Sequence, residues 1–232
     1  MPRALATETS GRLGSLALVE DGRVVAEDEF PHGLQHAAEI VVRIDRLCRE
    51  RGWGPGDLRE LYVSAGPGSF TGLRIGITLA KTFAFATGAK LVAVPTVRVL
   101  AANAPPEATN LVIVLDAKRD QIFTARFERE GGESGGAWVE REAAHLDDLP
   151  SMLARSPRPV HLLGEGIPHH QKFIPPDDAS VIVTPPELWR ARAAAVADEG
   201  MRMAAAGQFT DPDHLSPIYI RRPEAEEKYV AK

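Results

Sequence analysis

The sequence predicts an α/β protein that opens with a meander of three short strands and continues through parallel crossovers. Two patterns carry this expectation. Short apolar runs broken by turn signals fill the first thirty residues, and apolar spacings of three and four take over afterwards. Composition agrees: 232 residues, 44% hydrophobic and 25% charged, suit one large domain or two modest ones, each with its own core.

Residues 3–7, 14–19 and 24–29 read as the strands of the meander, with turns at Gly11–Gly14 and at Asp21-Gly22, a strong hairpin signal. Leu34, Ala37, Val41, Ile44 and Cys48, widened by Ile40 and Leu47, mark an amphipathic helix over about 35–51 that Gly52 closes. A strand at 60–64, a glycine-rich turn, a helix near 69–87 and a strand at 91–94 follow. Three strands, then helix, strand, helix, strand, is the order of a ribonuclease-H-like unit.

A boundary is expected near Asn103-Ala104-Pro105-Pro106, giving a first lobe over 1–103 and a second over 104–206. In the second, 111–115 and 121–127 read as paired strands, 130–136 as a loop, 146–155 as a short helix and 160–163 as a strand. An alanine- and arginine-rich helix is expected over 187–206. The tail, 207–232, carries Pro212, Pro217 and Pro223 and ends in charge, so it reads as extended and partly loose.

Several functional classes are disfavoured. A net charge of -5 argues against nucleic-acid binding by this chain alone. The single cysteine, Cys48, excludes an internal disulfide and points to a reducing compartment; it reads as a core thiol rather than a nucleophile. No stretch reaches the length of a membrane span, and the start lacks the apolar core of a signal peptide, so a cytoplasmic location is expected. His32 and His36 stand four apart, as metal ligands on a helix can, yet no carboxylate or cysteine is placed to complete a site. His169-His170 reads as a surface turn, and Glu224, Glu226 and Glu227 as solubilising charge in the tail.

The turn SAGPGSFTGLRIG, residues 64–76, is the most informative stretch. A phosphate-binding Walker loop needs a glycine followed five residues later by Gly-Lys, but Thr71 and Leu73 stand at those places. A dinucleotide fingerprint needs tighter glycine spacing and an acid about 20 residues on, and no Asp or Glu occurs from 61 to 106. Instead Gly68, Gly72, Gly76, Ala80, Ala84 and Gly88 recur every fourth residue, a ridge of small side chains along one helix. Gly72 and Gly76 inside a helix each cost about 1 kcal/mol against alanine, so close approach of another element must offset them. Either the helix is packed between its own sheet and its own first helix, or a partner protein packs on the ridge.

The motif GPGSFTGLRIG resembles the signature of the TsaB (YeaZ) family. ALATETS at residues 4–10, Asp116-Ala117-Lys118-Arg119, Gly164-Glu165-Gly166 and Pro217-Ile218-Tyr219-Ile220-Arg221 extend the resemblance over nearly the whole chain. It implies two ribonuclease-H-like lobes of the sugar-kinase, Hsp70 and actin architecture. It also implies a role in making N6-threonylcarbamoyladenosine on tRNAs that read codons beginning with A. In that role the chain would be a non-catalytic subunit paired with the homologous TsaD, joined by the ATPase TsaE, and meeting tRNA only through the complex. The pairing surface implied is the first two helices, here Val41 and Ile44 with Gly68, Gly72, Arg74, Ile75, Gly76, Leu79, Ala80 and Phe83. Without its partner the chain would form a homodimer on the same ridge.

The departures point the same way. Glu8 replaces the family's aspartate in the first turn, Lys118 and Arg119 crowd the turn after Asp116, and Thr96 and Leu100 stand where TsaD-like relatives carry a histidine pair. No cofactor, metal or catalytic residue is therefore expected. The competing reading is an enzyme of the same fold, an ATP-using phosphotransferase or a glycoprotease-like protein.

Overall fold

The computed structural model describes residues 2–31, 36–132 and 136–221. They fall into two compact units, one within 1–99 and 191–218, the other within 100–190 and 219–232.

In the first unit, β1 (Ala4–Glu8), β2 (Leu13–Glu20) and β3 (Arg23–Pro31) form the meander. Ala6 lies opposite Ala17 and Leu16 opposite Asp28, both antiparallel. Asp21 and Gly22 turn the chain with positive φ, 50° and 78°, as a two-residue hairpin requires. Next comes α1 (His36–Glu50); its expected start and His32 lie outside the described residues. β4 (Glu60–Gly66) joins β1 in parallel, α2 (Phe70–Thr87) crosses over, and β5 (Lys90–Pro95) joins β4 in parallel. The resulting order is β3-β2-β1-β4-β5. Alternation along each strand sends Leu5, Leu16, Leu18, Leu61, Val63 and Leu91 to the face covered by α1 and α2. Ala4, Ala6, Ala17, Tyr62, Val92 and Val94 go to the opposite face.

The six-residue helix α3 (Thr96–Ala101) was too short to register as periodicity. The second unit then builds a mixed sheet from β6 (Asn110–Ile113), β7 (Leu115–Asp116), β8 (Ile122–Arg129) and β9 (Trp138–Asp147). After α4 (Leu149–Arg155) come β10 (Val160–Leu163), α5 (Ile167–His170) and β11 (Val181–Val183). The order is β11-β10-β6-β8-β7, with β9 also paired to β8. Its core gathers Val112, Val114, Ile122, Val160 and Leu162 from the sheet with Leu149, Met152 and Leu153 from α4. One expectation is corrected here. β9 occupies 138–147, so the helix expected from 146 begins only at Leu149, capped by the Asp148 carboxylate accepting the Ser151 amide at 2.9 Å.

The last helix, α6 (Ala193–Ala205), starts later than expected because Pro185 and Pro186 hold residues 186–188 in a short 3-10 turn. It also belongs to the first unit rather than to 104–206. Ala193, Val196 and Ala197 pack under Ala4, Ala6 and Tyr62, and the buried Ser15 hydroxyl accepts the Ala193 amide at 2.8 Å. Gly200 allows the close fit, since a Cβ there would lie 2.4 Å from the Tyr62 ring. Residues 207–218 follow onto the same unit. The Thr210 amide donates to the Leu91 carbonyl at 2.7 Å and Leu215 is buried in the core, so this part of the tail is extended but pinned. Glu224, Glu226 and Glu227 lie outside the described residues.

Candidate partner-binding face

α2 begins at Ser69, whose hydroxyl accepts the Gly72 amide at 3.3 Å, and ends at Gly88 with φ 73°. Its ridge of small residues faces inward. A Cβ at Gly68 would sit 2.6 Å from the Ser10 carbonyl oxygen, and one at Gly76 would sit 2.4 Å from the Thr9 hydroxyl oxygen. That hydroxyl donates to the Gly72 carbonyl at 2.8 Å, and the Ser69 amide donates to the Ser10 carbonyl at 2.8 Å. Ala80 and Ala84 are buried in the core against the sheet.

The ridge is thus filled by the turn after β1, and the expectation that a partner packs on Gly68, Gly72, Gly76 and Ala80 is corrected. Their lack of side chain lets α2 sit close to its own chain. Ile44, 5% exposed, is likewise a core residue of α1. Leu79 and Phe83 are half-buried and pack against the same core.

An apolar exterior remains beside the ridge. Between α1 and α2 runs a groove of about 410 Å³ lined by Ile40, Val41, Arg74, Ile75, Thr78, Leu79 and Thr82. Val41 is 54% exposed, Val42 68% and Phe85 62%, fractions that buried-core logic does not explain. Two of these, Val42 and Phe85, were missed in the sequence. At 100° per residue Phe85 falls on the same arc as Arg74, Thr78 and Thr82, so the helical wheel carried the signal.

Charge on α1 is matched within the chain. Arg43 meets Asp28 at 3.0 Å and Glu39 at 3.4 Å, Arg46 meets Asp28 at 2.6 Å, and Arg49 meets Asp45 at 2.9 Å. On α2, Lys81 donates to the Leu215 carbonyl at 3.3 Å, while Arg74 is exposed at the groove with its Cζ 3.9 Å from the centre of the Phe70 ring.

The turns after β1 and β7 are engaged internally. Glu8 is fully buried and accepts the Ser10 amide. In the second unit, burial pushes the Asp116 carboxyl up, but the Lys118 ammonium at 2.7 Å, the Lys118 amide and His170 outweigh it and hold it below the usual carboxylate range. Lys118, Arg119 and Asp120 follow with φ of 64°, 57° and 59°, leaving side chains where a phosphate loop would carry glycines. His170, expected on a surface turn, is 1% exposed, with Nε2 3.3 Å from Asp116. Cys48 is buried in the first core, where burial raises its thiol.

A ribonuclease-H-like sheet of this order, flanked by α1 and α2 on one face and α6 on the other, places the chain in the architecture shared by actin, Hsp70 and sugar kinases. The family model described as TsaD, tRNA N6-adenosine threonylcarbamoyltransferase, matches residues 33–152. A relative in Bacillus subtilis strain 168, the tRNA threonylcarbamoyladenosine biosynthesis protein TsaB, is 31% identical over 97% of each chain. The TsaB of Escherichia coli K12 is 27% identical over 99% of each. A crystal structure of a Pseudomonas aeruginosa protein with similarity to peptidase YeaZ superposes with a TM-score of 0.79 at 22% identity, covering 95% of this chain and all of that one. The chain belongs to the TsaB family.

Proposed function

We propose that this protein is a non-catalytic subunit of the machinery that makes N6-threonylcarbamoyladenosine on tRNA, and that it works by pairing with a TsaD-like homologue through the α1–α2 face. Membership of the TsaB family assigns it to tRNA threonylcarbamoyladenosine biosynthesis. The observation that carries the pairing is the apolar groove with exposed Val41, Val42 and Phe85 on the two helices that the resemblance implicates. The docking residues are then Val41, Arg74, Ile75, Leu79 and Phe83 of the expected set. A TsaE-like ATPase joins the pair, and tRNA is met through the complex.

The non-catalytic reading is supported by what fills the positions of the expected histidine pair. Thr96 is buried and its hydroxyl lies 2.8 Å from the Ser64 hydroxyl while accepting the Gly66 amide, and Leu100 is a core side chain. The deciding experiment is to purify the chain with the TsaD-like homologue and replace Ile75 with Asp. The variant should fold, fail to co-purify, and lower modified tRNA in the reconstituted reaction; unchanged co-purification would refute the proposal.

A further inference from the structure

On the opposite side of the first sheet, under α6, lies a smaller cavity of about 120 Å³. Val19 of β2 and Met201, Ala204 and Ala205 of α6 wall it, and Glu60 and Tyr62 of β4 complete the lining. Strand alternation puts the last two there: Leu61 and Val63 face α1 and α2, so Glu60 and Tyr62 turn towards α6. A dry cavity of about 150 Å³ takes a six-carbon ring, so this one suits about four to six non-hydrogen atoms.

Its one charged group is held in place. Tyr62 is 2% exposed, with its ring against Gly200, and its hydroxyl donates to the Glu60 carboxylate. Burial, then the bond to Glu60 and its charge, push this hydroxyl up, so it stays a donor. One hydroxyl leaves most of the acceptor capacity of a carboxylate unused. Lys90 stands opposite Glu60 in register on β5, yet its ammonium sits 4.7 Å from the centre of the Phe209 ring. Among the described residues it forms no ion pair with Glu60.

We infer that this cavity is a binding site for an alkylammonium group, its nitrogen on the Glu60 carboxylate and its short carbon chain along Val19, Met201 and Ala204. Three features select that chemistry. A carboxylate bonds a charged donor about twice as strongly as a neutral one. α6 ends at Ala205, so the negative end of its dipole lies at the cavity, favouring cations and opposing anions. The other walls are apolar and give a neutral polar ligand nothing to bond, while the Met201 thioether adapts to the carbon chain. The site is separate from the α1–α2 face and does not rest on the pairing proposed there.

The test uses the full chain, with calorimetry and NMR of the Met201 methyl, at neutral pH and matched ionic strength. The probes are n-butylamine, 1-butanol and butyrate. Butylammonium should bind saturably and shift the Met201 methyl, butanol should bind at least tenfold more weakly, and butyrate should not bind. Glu60→Gln keeps an acceptor for Tyr62 but removes the charge, and should weaken butylammonium at least tenfold. Ala204→Leu keeps the charge and fills the cavity; at this half-buried position the chain should fold, and binding should be lost. Lys90→Met should leave binding unchanged or tighter. Nα-acetyl-lysine methylamide carries the same head on a peptide unit. If it binds as well as butylammonium, the site takes a lysine side chain; if only butylammonium binds, it takes a free amine. No saturable binding of either amine would overturn the inference. So would butanol binding equally well, natural affinity in Glu60→Gln or Ala204→Leu, or loss of binding in Lys90→Met.

Discussion

The hydroxyl of Thr9, just past the end of β1, donates to the main-chain carbonyl of Gly72, inside α2, at 2.8 Å. Two residues far apart in sequence are thereby fixed to each other, and the absence of a side chain at Gly76 is what permits it, since a Cβ there would lie 2.4 Å from the same hydroxyl. The signature glycines therefore set the distance between a helix and the turn it covers. The partner contact proposed above falls on the neighbouring arc.

Gly76→Ala tests this. The helix gains about 1 kcal/mol of intrinsic propensity. Displacing Thr9 forfeits its hydrogen bond, about 0.5–1.5 kcal/mol, and overpacking adds about 1–3 kcal/mol. The loss wins, and the melting temperature should fall. In the double variant with Thr9→Ala the second methyl meets no hydroxyl, so the pair should cost less than the sum of the singles in a denaturant cycle. Strict additivity would show that Thr9 and Gly76 do not constrain one another.

Thr210 closes the free edge of the first sheet. Its amide donates to the Leu91 carbonyl at 2.7 Å and its hydroxyl accepts the Ala93 amide at 3.2 Å, so one residue satisfies two outward groups of β5. Thr210→Val keeps the shape and removes the acceptor, leaving the Ala93 amide without that bond. A stability loss of about 1–2 kcal/mol is expected, with more concentration-dependent association through the opened edge. Chemical denaturation and sedimentation velocity read the two effects separately.

Acid should act on the second unit through the β8–β9 ion pairs. Burial pushes Glu128, Glu142 and Asp147 up, but hydrogen bonds and charge from Arg126, Arg141 and Arg155 outweigh it, so all three carboxyls titrate below their ordinary values. A carboxyl held low when folded contributes stability above its unfolded value, near pH 4, and loses it as pH falls through the folded value. Stability should therefore decline from about pH 4 downward. Arg126→Gln removes a partner of both Glu128 and Glu142 and should lessen the decline in that window while lowering stability at neutral pH. An identical pH profile in circular dichroism would contradict the assignment.

The first five strands and two helices were legible because each carries a local period and a local stop, such as Asp21-Gly22 or Gly88. β9 was not. Its run WVEREAAHLD mixes good helix formers with charge on both faces, and only pairing with β8 makes it a strand. The small-residue ridge was legible as geometry, but what covers it was not, because Thr9 and Ser10 reach it across about sixty residues of sequence. Arg74, Ile75 and Val41 were legible as helix-surface positions; the exposure of Val42 and Phe85 depends on how far apart α1 and α2 settle on the sheet, which no local pattern encodes.

The return of α6 to the first sheet has a consequence for how the polypeptide matures on the ribosome. Ala4, Ala6, Tyr62, Val92 and Val94 are made early, yet the layer that shields them, Ala193 to Ala205, is made only after the whole of residues 100–190. The amino-terminal half therefore waits, with one greasy side uncovered, until residues 193–205 have been made, and a fragment ending at Val99 lacks the cover needed to stay in solution.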